Sequence, residues 1–292
     1  CEGCVNLCSF CIIPAIKGRF QSVAADAVVR KCARLDRQGI SELCIIGQDI
    51  TAYGRDLKDK ADLYTLVSRI LAKCRHIGWV RLLYLYPSRV SDPLLKLISD
   101  EPRLCKYIDV PVQHASDRML AAMNRAMTKR DIVGLIHRIR RIVPGAAIRT
   151  TLITGFPGET DKDFEELLSF VTEMRFERLG VFMYSREEGT RAYDLPGQVP
   201  YKVKEARFNA LMSAQQEISR ANNSRYLGRT IRVLIDAKEQ DRGFYSGRSE
   251  HDAPEVDGTV LVRSRRVLRP GEFVDVRIND TMEYDLAGES IR

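Results

Sequence analysis

Short apolar runs and longer amphipathic segments alternate along the first two thirds of the chain. Runs rich in β-branched and aromatic residues predict strands, and they occupy positions 42–49, 79–87, 107–114, 148–157 and 178–185. Between them, apolar residues recur with the helical period near 22–38, 61–75, 116–142 and 160–174. Segments of this length form the right-handed crossovers that join parallel strands. The pattern therefore predicts an α/β domain with parallel strands.

The pattern changes after Ser185. A polar connection with two prolines and two glycines, "REEGTRAYDLPGQVPYKVKEAR", leads into a predicted helix that ends near residue 222. The remaining strand-like pieces are short and are separated by Gly, Asp and Pro turns: "TIRVLID", "GFYSGRS", "GTVLVRS" and "EFVDVRIND". This spacing is typical of a small five-stranded β-barrel. We therefore predict two domains, 1–222 and 223–292.

Polar residues stand at the carboxyl ends of the predicted strands. In parallel α/β folds these ends carry the functional groups. The residues at the ends are Gln48, Asp49, Tyr86, Gln113, His114, Gly155, Tyr184 and Ser185. The arrangement predicts a ligand-facing rim on one side of the sheet.

Four of the 8 cysteines lie within the first eleven residues. Cys4, Cys8 and Cys11 have the spacing C-x3-C-x2-C, and three closely spaced thiolates are typical of an iron-sulfur or metal site. Three protein ligands leave one iron of a cluster free for another molecule. The alternative is a zinc site that Cys1 completes. A disulfide scaffold is disfavoured, as is a membrane span of roughly 20 apolar residues, and we expect a cytoplasmic protein.

The cysteine loop, "EGCVNLCSFCIIP", resembles that of the radical S-adenosylmethionine enzymes. Further segments are similar to the methylthiotransferases, in particular to the branch that modifies an aspartate of a small-subunit ribosomal protein: "GQDITAYGRDL", "LYLYPSRVSD", "DVPVQHASDRMLAAMNR", "RTTLITGFPGET", "GVFMYSREEGT", "DAPEVDG" and "EYDLAGE". The resemblance implies a partial (β/α)6 barrel followed by a small all-β barrel similar to a TRAM domain. It also implies a transferase activity.

The resemblance implies the cofactors and their ligands. Cys4, Cys8 and Cys11 would hold a [4Fe-4S] cluster whose free iron binds S-adenosyl-L-methionine. Five residues at strand ends are candidate contacts of that cofactor: Gln48 and Asp49 for the amino group, Gln113 for the ribose, Arg149 for the carboxylate and Gly155 for the adenine. The same residue types also cap helices and form turns. We assign no catalytic residue beyond the cluster ligands.

The chain departs from the family pattern at its start. In that family a strand directly precedes the cysteine loop, and before it lies an amino-terminal domain that binds a second [4Fe-4S] cluster. This sequence begins at Cys1. We therefore expect a fragment that lacks the first strand and that domain, and that is incomplete for the full reaction. An electron donor such as flavodoxin or ferredoxin is also implied.

The charge distribution bears on the choice of substrate. The whole chain has a net charge of +7, whereas residues 225–292 carry 12 Lys and Arg against 13 Asp and Glu, a net charge of −1. Nucleic-acid binding calls for excess positive charge, so the charge of residues 225–292 favours the ribosomal protein as the substrate. Two alternatives remain: the substrate is a transfer-RNA adenosine, or the chain is a non-catalytic, zinc-stabilised nucleic-acid-binding protein. We expect the acidic segment to dock that basic protein through four residues: Glu250, Asp252, Glu255 and Asp257.

Overall fold

The structure is a computed structural model that describes residues 1–58, 61–240 and 243–291. Five parallel strands follow one another in its first part: β1 (Glu42–Ile45), β2 (Trp79–Leu82), β3 (Tyr107–Asp109), β4 (Ala147–Thr154) and β5 (Arg178–Met183). β1 pairs with β2, and β4 pairs with both β3 and β5. Backbone hydrogen bonds outside the ladders join the two groups, such as Leu85 N to Asp109 O at 2.9 Å. All five predicted strands are present.

Helices lie before, between and after these strands: α1 (Ile13–Lys17), α2 (Ala25–Arg37), α3 (Leu63–Lys73), α4 (Asp92–Asp100), α5 (Asp117–Ala122), α6 (Lys129–Ile142), α7 (Asp161–Met174) and α8 (Tyr201–Asn223). Their apolar faces and the apolar side chains of the strands form one core. Within the described ranges, no helix combines the length and the apolar character needed to cross a membrane.

Three helical segments differ from the sequence prediction, and the first is the short helix α1, which was not predicted. The hydrophobic period predicts one helix over 116–142, but the structure has two, because Asn124 adopts a positive φ of 56° and Thr128 opens a new helix with a capping box. The helix α4 was not predicted. Ser91 caps its first turn, and a proline occupies one of the first two helical positions.

The second part of the chain is a closed barrel of five strands: β6 (Thr230–Lys238), β7 (Phe244–Ser249), β8 (Val260–Arg263), β9 (Phe273–Thr281) and β10 (Leu286–Ser290). Alternate apolar residues, such as Val233 and Ile235 on β6, point into a separate core. Closure removes the exposed sheet edges that a short sheet of this kind would otherwise have. The predicted small β-barrel is confirmed.

The barrel docks on the face of β2–β5 that the helices leave uncovered, which we call the inner face. Arg81 is fully buried there, with Nε 2.8 Å from Glu42 Oε1 and Nη1 2.8 Å from the Glu250 carbonyl oxygen. Arg178 pairs with Asp252, with Nε 3.0 Å from Oδ1. The contacting residues Glu250 and Asp252 belong to the β7–β8 loop (residues 250–259). This loop therefore forms part of the contact between the two halves of the molecule.

The position of the β7–β8 loop corrects the expected docking surface. Asp252 is 2% exposed and is held by Arg178 and by Ser249 Oγ. Asp257 accepts hydrogen bonds from Tyr107 Oη at 2.6 Å and from the Ala253 N–H at 2.9 Å. Glu250 Oε2 accepts from the Lys106 N–H at 3.0 Å. Only Glu255 is exposed, so the prediction of a four-residue acidic surface is wrong: three of its carboxylates bind groups inside the molecule.

Breaking the Arg178–Asp252 pair should destabilise the fold. Burial by itself raises the pKa of Asp252, but the neighbouring Arg178 guanidinium brings it below the usual range. The substitution Asp252→Asn leaves the Arg178 charge buried without its partner, at an expected cost of about 3 to 5 kcal/mol in the free energy of unfolding. Urea unfolding followed by circular dichroism measures this loss. Because the pKa is lowered, the contribution is present at neutral pH and disappears as the pH falls through the folded-state pKa.

The pair Arg220–Glu283, whose side chains are 58% and 31% exposed, provides a control for this prediction. Glu283→Gln should leave the urea midpoint unchanged, since exposed ion pairs contribute little to stability. An Asp252→Asn protein that unfolds at the same urea concentration as the wild type would show that the buried pair does not stabilise the contact.

Candidate active site

Residues on or just after the five parallel strands line one cavity of about 280 Å³. This volume is close to the lower end of the range for small-molecule sites, roughly 300–1,000 Å³. Its wall contains the three cysteines Cys4, Cys8 and Cys11, and four of the five residues predicted to contact a cofactor: Gln48, Asp49, Gln113 and Arg149. The fold thus brings together residues that are up to 145 positions apart in the sequence.

The cysteine loop is held by the segment that follows α5. Ser9 donates from its backbone N–H to Met123 O at 3.1 Å and from Oγ to Ala122 O at 2.8 Å. Asn124 Nδ2 donates to Leu7 O at 2.6 Å. These bonds fix the middle of the loop, between Cys4 and Cys11, against the strand ends.

The three thiols share one electrostatic environment. Burial raises the pKa of the Cys11 thiol above its usual value, and negative charge on Cys8 and Cys4 raises it further. Asn6 Nδ2 lies 3.3 Å from Cys4 Sγ, and Arg125 Nη1 lies 3.5 Å from Cys8 Sγ. Three thiolates in the same cavity wall repel one another. All three thiols can therefore ionise only with a strong positive charge beside them, such as bound iron provides.

The donor geometry distinguishes a cluster from a single ion. Across residues 1–58, 61–240 and 243–291, no three His, Cys, Asp or Glu side chains converge closely enough to hold one metal ion. Cys1 does not line the cavity, and its Sγ donates to the Asp49 carbonyl at 3.7 Å. An iron-sulfur cluster fits such thiols better than zinc, because each cysteine binds a different iron atom and the sulfurs need not meet at one point.

Asp49 lies in the cavity wall, but its carboxylate already has partners. Oδ1 accepts from the Thr51 N–H at 3.0 Å and caps a short 3₁₀ turn, Ile50–Ala52. Oδ2 accepts from Asn6 Nδ2 at 2.8 Å and pairs with Arg89. Asp49 therefore links the cysteine loop to the end of β1, whereas neighbouring Gln48 is exposed.

Gln113 has a side-chain acceptor that no described residue satisfies. Its Oε1 is buried and receives no hydrogen bond from the described residues. Its φ is 78°, a conformation that costs a non-glycine residue on the order of 1 to 3 kcal/mol. An unsatisfied buried acceptor on a strained residue in a cavity wall suits a ligand that donates a hydrogen bond, such as a ribose hydroxyl.

The structure does not bring Gly155 to the cavity. Its φ is 71°, its N–H donates to Glu159, and the side chain of Lys204 from α8 covers it. The glycine serves a turn in which a Cβ would collide with the Lys204 side chain. The expected contact between Gly155 and an adenine ring is therefore not supported by its position.

Arg125 is a cavity residue that was not predicted from the sequence. Its guanidinium lies 4.2 Å from the centre of the Tyr86 ring, and Nη2 donates to Pro111 O at 2.6 Å. Arg125 forms no ion pair with a carboxylate among the residues described. The sequence predicts one continuous helix over 116–142, in which Arg125 would be an ordinary helical residue. A predicted helix break at Asn124 would instead have placed Arg125 in the segment between α5 and α6, next to the cysteine loop.

Comparisons with known proteins identify both parts of the chain. Residues 1–171 match the family model of the radical SAM superfamily, and residues 227–291 match the TRAM domain. Two relatives named ribosomal protein uS12 methylthiotransferase RimO come from Desulforamulus reducens and Caldanaerobacter subterraneus subsp. tengcongensis. They are 45% and 48% identical over 289 and 288 residues. The matches cover 99% of this chain and 65% of each relative.

Solved structures agree with the fold. Coproporphyrinogen III oxidase (HemN) from Escherichia coli, described as a radical SAM enzyme, has a TM-score of 0.55 at 14% identity, over 86% of this chain and 65% of that chain. The radical S-adenosylmethionine methyltransferase TsrM from Kitasatospora setae has a TM-score of 0.51 at 20% identity, over 62% and 32%. At these identities the likeness concerns the fold alone. The predicted fold class is confirmed, and because the first family model covers more than half of its length, the chain belongs to the radical SAM superfamily.

Proposed function

We propose that this chain is the cofactor-binding part of a methylthiotransferase that modifies an aspartate side chain of a small-subunit ribosomal protein. The observation that carries the proposal is the one cavity that is lined both by three thiols and by polar residues on or just after four of the parallel strands. The curated relatives named above support the substrate class. Since the chain spans about 65% of their length, activity and substrate are proposed for the whole protein.

The cavity residues have distinct roles in this proposal. Cys4, Cys8 and Cys11 hold a [4Fe-4S] cluster, and Arg125 donates to the Cys8 sulfur. When bound, the cluster and S-adenosylmethionine supply the reductive cleavage of a carbon–sulfur bond, and hence a radical that abstracts hydrogen from an unactivated carbon. Gln113 accepts from the ribose, and Arg149 donates to the carboxylate of the cofactor.

The proposal implies further partners. A one-electron donor such as flavodoxin or ferredoxin would reduce the cluster, and a second [4Fe-4S] cluster would be bound by a segment that this chain does not include. A ribosomal substrate places the reaction in the cytoplasm.

Replacing any one of the three cavity cysteines should abolish the cluster. In Cys4→Ala, Cys8→Ala and Cys11→Ala, one iron loses its thiolate, so anaerobic reconstitution should give a protein without the visible absorption of iron-sulfur clusters. Iron and sulfide analysis measures the loss. Cys1→Ala is the matched control and should retain its iron, because Cys1 lies outside the cavity wall. The assignment fails if all three cavity variants still bind four irons.

Arg125 should raise the reduction potential of the cluster. Reduction adds negative charge, which a neighbouring guanidinium stabilises. Arg125→Met should therefore make the midpoint potential more negative by about 60 mV or more, the equivalent of about 1.5 kcal/mol for one charge-assisted hydrogen bond. A redox titration followed by electron paramagnetic resonance measures the shift.

Two further variants test whether charge is the cause of that shift. Arg125→Lys keeps the charge and should shift the potential less. Arg130→Met, on the exposed side of α6, should not shift it. Equal potentials in Arg125→Met and the wild type would exclude the role.

The substrate can be identified by mass spectrometry of cells that lack the full-length gene. We expect a methylthio group to be missing from an aspartate of one small-subunit ribosomal protein, while transfer-RNA adenosines are unchanged. Restoring the full-length gene should restore the modification. Loss of a methylthio group from transfer RNA instead would replace this substrate with the alternative one.

A further inference from the structure

The cavity and the barrel occupy neighbouring halves of the same inner face. Arg149, Thr151 and Phe182 extend from this face into the cavity wall. Arg81 on β2 and Arg178, the first residue of β5, contact β7 or the β7–β8 loop. Arg149 does both. It lines the cavity and also faces Asp257 of the β7–β8 loop, so it is the residue at which the two halves meet.

Two carboxylates hold the Arg149 guanidinium from different sides. Nη1 lies 3.1 Å from Asp109 Oδ1, and Nε lies 3.6 Å from Asp257 Oδ1. The Arg149 side chain is 13% exposed, which leaves little room for other orientations. No hydrogen bond from Nη2 to a described residue exists, so the third side of the guanidinium is available to a ligand in the cavity.

Asp257 is itself fixed in position. Its other oxygen, Oδ2, accepts from Tyr107 Oη at 2.6 Å and from the Ala253 N–H at 2.9 Å. Only 5% of its side chain is exposed. Two hydrogen bonds to Oδ2 fix the orientation of this carboxylate, so Oδ1 faces the guanidinium from one direction and can orient it by charge.

Asp109 connects the same guanidinium to the mouth of the cavity. Its Oδ2 accepts from the Tyr84 N–H at 2.9 Å, and Tyr84 has a positive φ of 61°. The Tyr84 ring lines the cavity. Asp257, Arg149, Asp109 and Tyr84 thus form one continuous path of polar contacts from the barrel to the cavity.

The local charge balance fits the proposed cofactor. Two carboxylates surround one guanidinium, so the cluster of side chains has an excess of negative charge. S-adenosylmethionine carries a sulfonium, an ammonium and one carboxylate, and therefore a net positive charge. Nη2 can bind the carboxylate while the excess negative charge attracts the cationic groups.

We propose that Asp257 of the barrel is a positioning residue that holds Arg149 in the orientation that binds the carboxylate of S-adenosylmethionine. This inference rests on the proposed function, since it requires the cofactor to bind in the cavity. Without the Asp257 charge, Asp109 is the one carboxylate among the described residues that pairs with Arg149, and Thr151 Oγ1 is a second acceptor of Nη1 at 3.4 Å. The buried Nε then has no carboxylate beside it among those residues. Because Asp257 belongs to the barrel and Arg149 lines the cavity, docking of the barrel and binding of the cofactor are coupled, and each strengthens the other.

The test measures ligand affinity in the 292-residue chain with its cluster reconstituted anaerobically and no reductant present. Two ligands are compared by equilibrium dialysis: S-adenosylmethionine, and 5′-methylthioadenosine, which has no carboxylate. In Asp257→Asn, the affinity for S-adenosylmethionine should fall by about fivefold or more, whereas that for 5′-methylthioadenosine should stay within about twofold. Glu255→Gln makes the same change of charge two residues away, at an exposed position, and should alter neither affinity.

Each outcome decides between the proposals. Unchanged affinity for S-adenosylmethionine in Asp257→Asn, or an equal loss for both ligands, overturns the positioning role and leaves the proposed function intact. If the wild-type protein binds no S-adenosylmethionine, both the positioning role and the proposed function are overturned. The wild-type measurement shows this before any variant is compared. If Asp257→Asn does not fold, Asp257→Glu replaces it, because it keeps the charge but displaces it by one methylene. The same selective loss for S-adenosylmethionine is then expected, and unchanged or equally reduced affinities overturn the role.

Discussion

Three arginines on the inner face of the parallel strands impose the constraint on which the rest of the structure depends. Arg81, Arg149 and Arg178 are largely removed from water, and a buried cation is tolerated only with a carboxylate or several acceptors beside it. Within the strands, Glu42 and Asp109 supply part of that compensation. The β7–β8 loop supplies the remainder through Asp252, Asp257 and the Glu250 carbonyl. The barrel is therefore part of the α/β domain's electrostatic balance.

This docking also determines where a ligand can bind. The barrel covers the inner face near the starts of the strands, so the open space remains at their carboxyl ends, under the cysteine loop. There the segment after α5 fixes the loop, and Asp49 joins it to the end of β1. Tyr84 and Gln113 keep positive φ angles in the cavity wall. Strained residues of this kind persist only where surrounding contacts determine them, and they are frequent at binding sites.

The acidic segment shows that the net charge of a segment does not tell whether its carboxylates are exposed or buried. The net charge of −1 for residues 225–292 is a property of composition, and it suggested an exposed surface for a basic partner. The structure uses three of those four carboxylates to compensate arginines, a tyrosine hydroxyl and a backbone N–H. A buried ion pair and a docking surface have the same composition, and only the position of the opposite charges distinguishes them.

The sequence by itself determined the features that depend on neighbours along the chain. The alternation of strands and helices follows from local hydrophobic period, and the thiols of Cys4, Cys8 and Cys11 share a site because they lie within eight residues of each other. The helix break at Asn124 is held by a hydrogen bond to the cysteine loop. Likewise, the meeting of Arg149 with Asp257, 108 positions apart, exists only once the barrel has docked. Tertiary structure decided these features, because no local pattern records which distant side chain a buried charge will face.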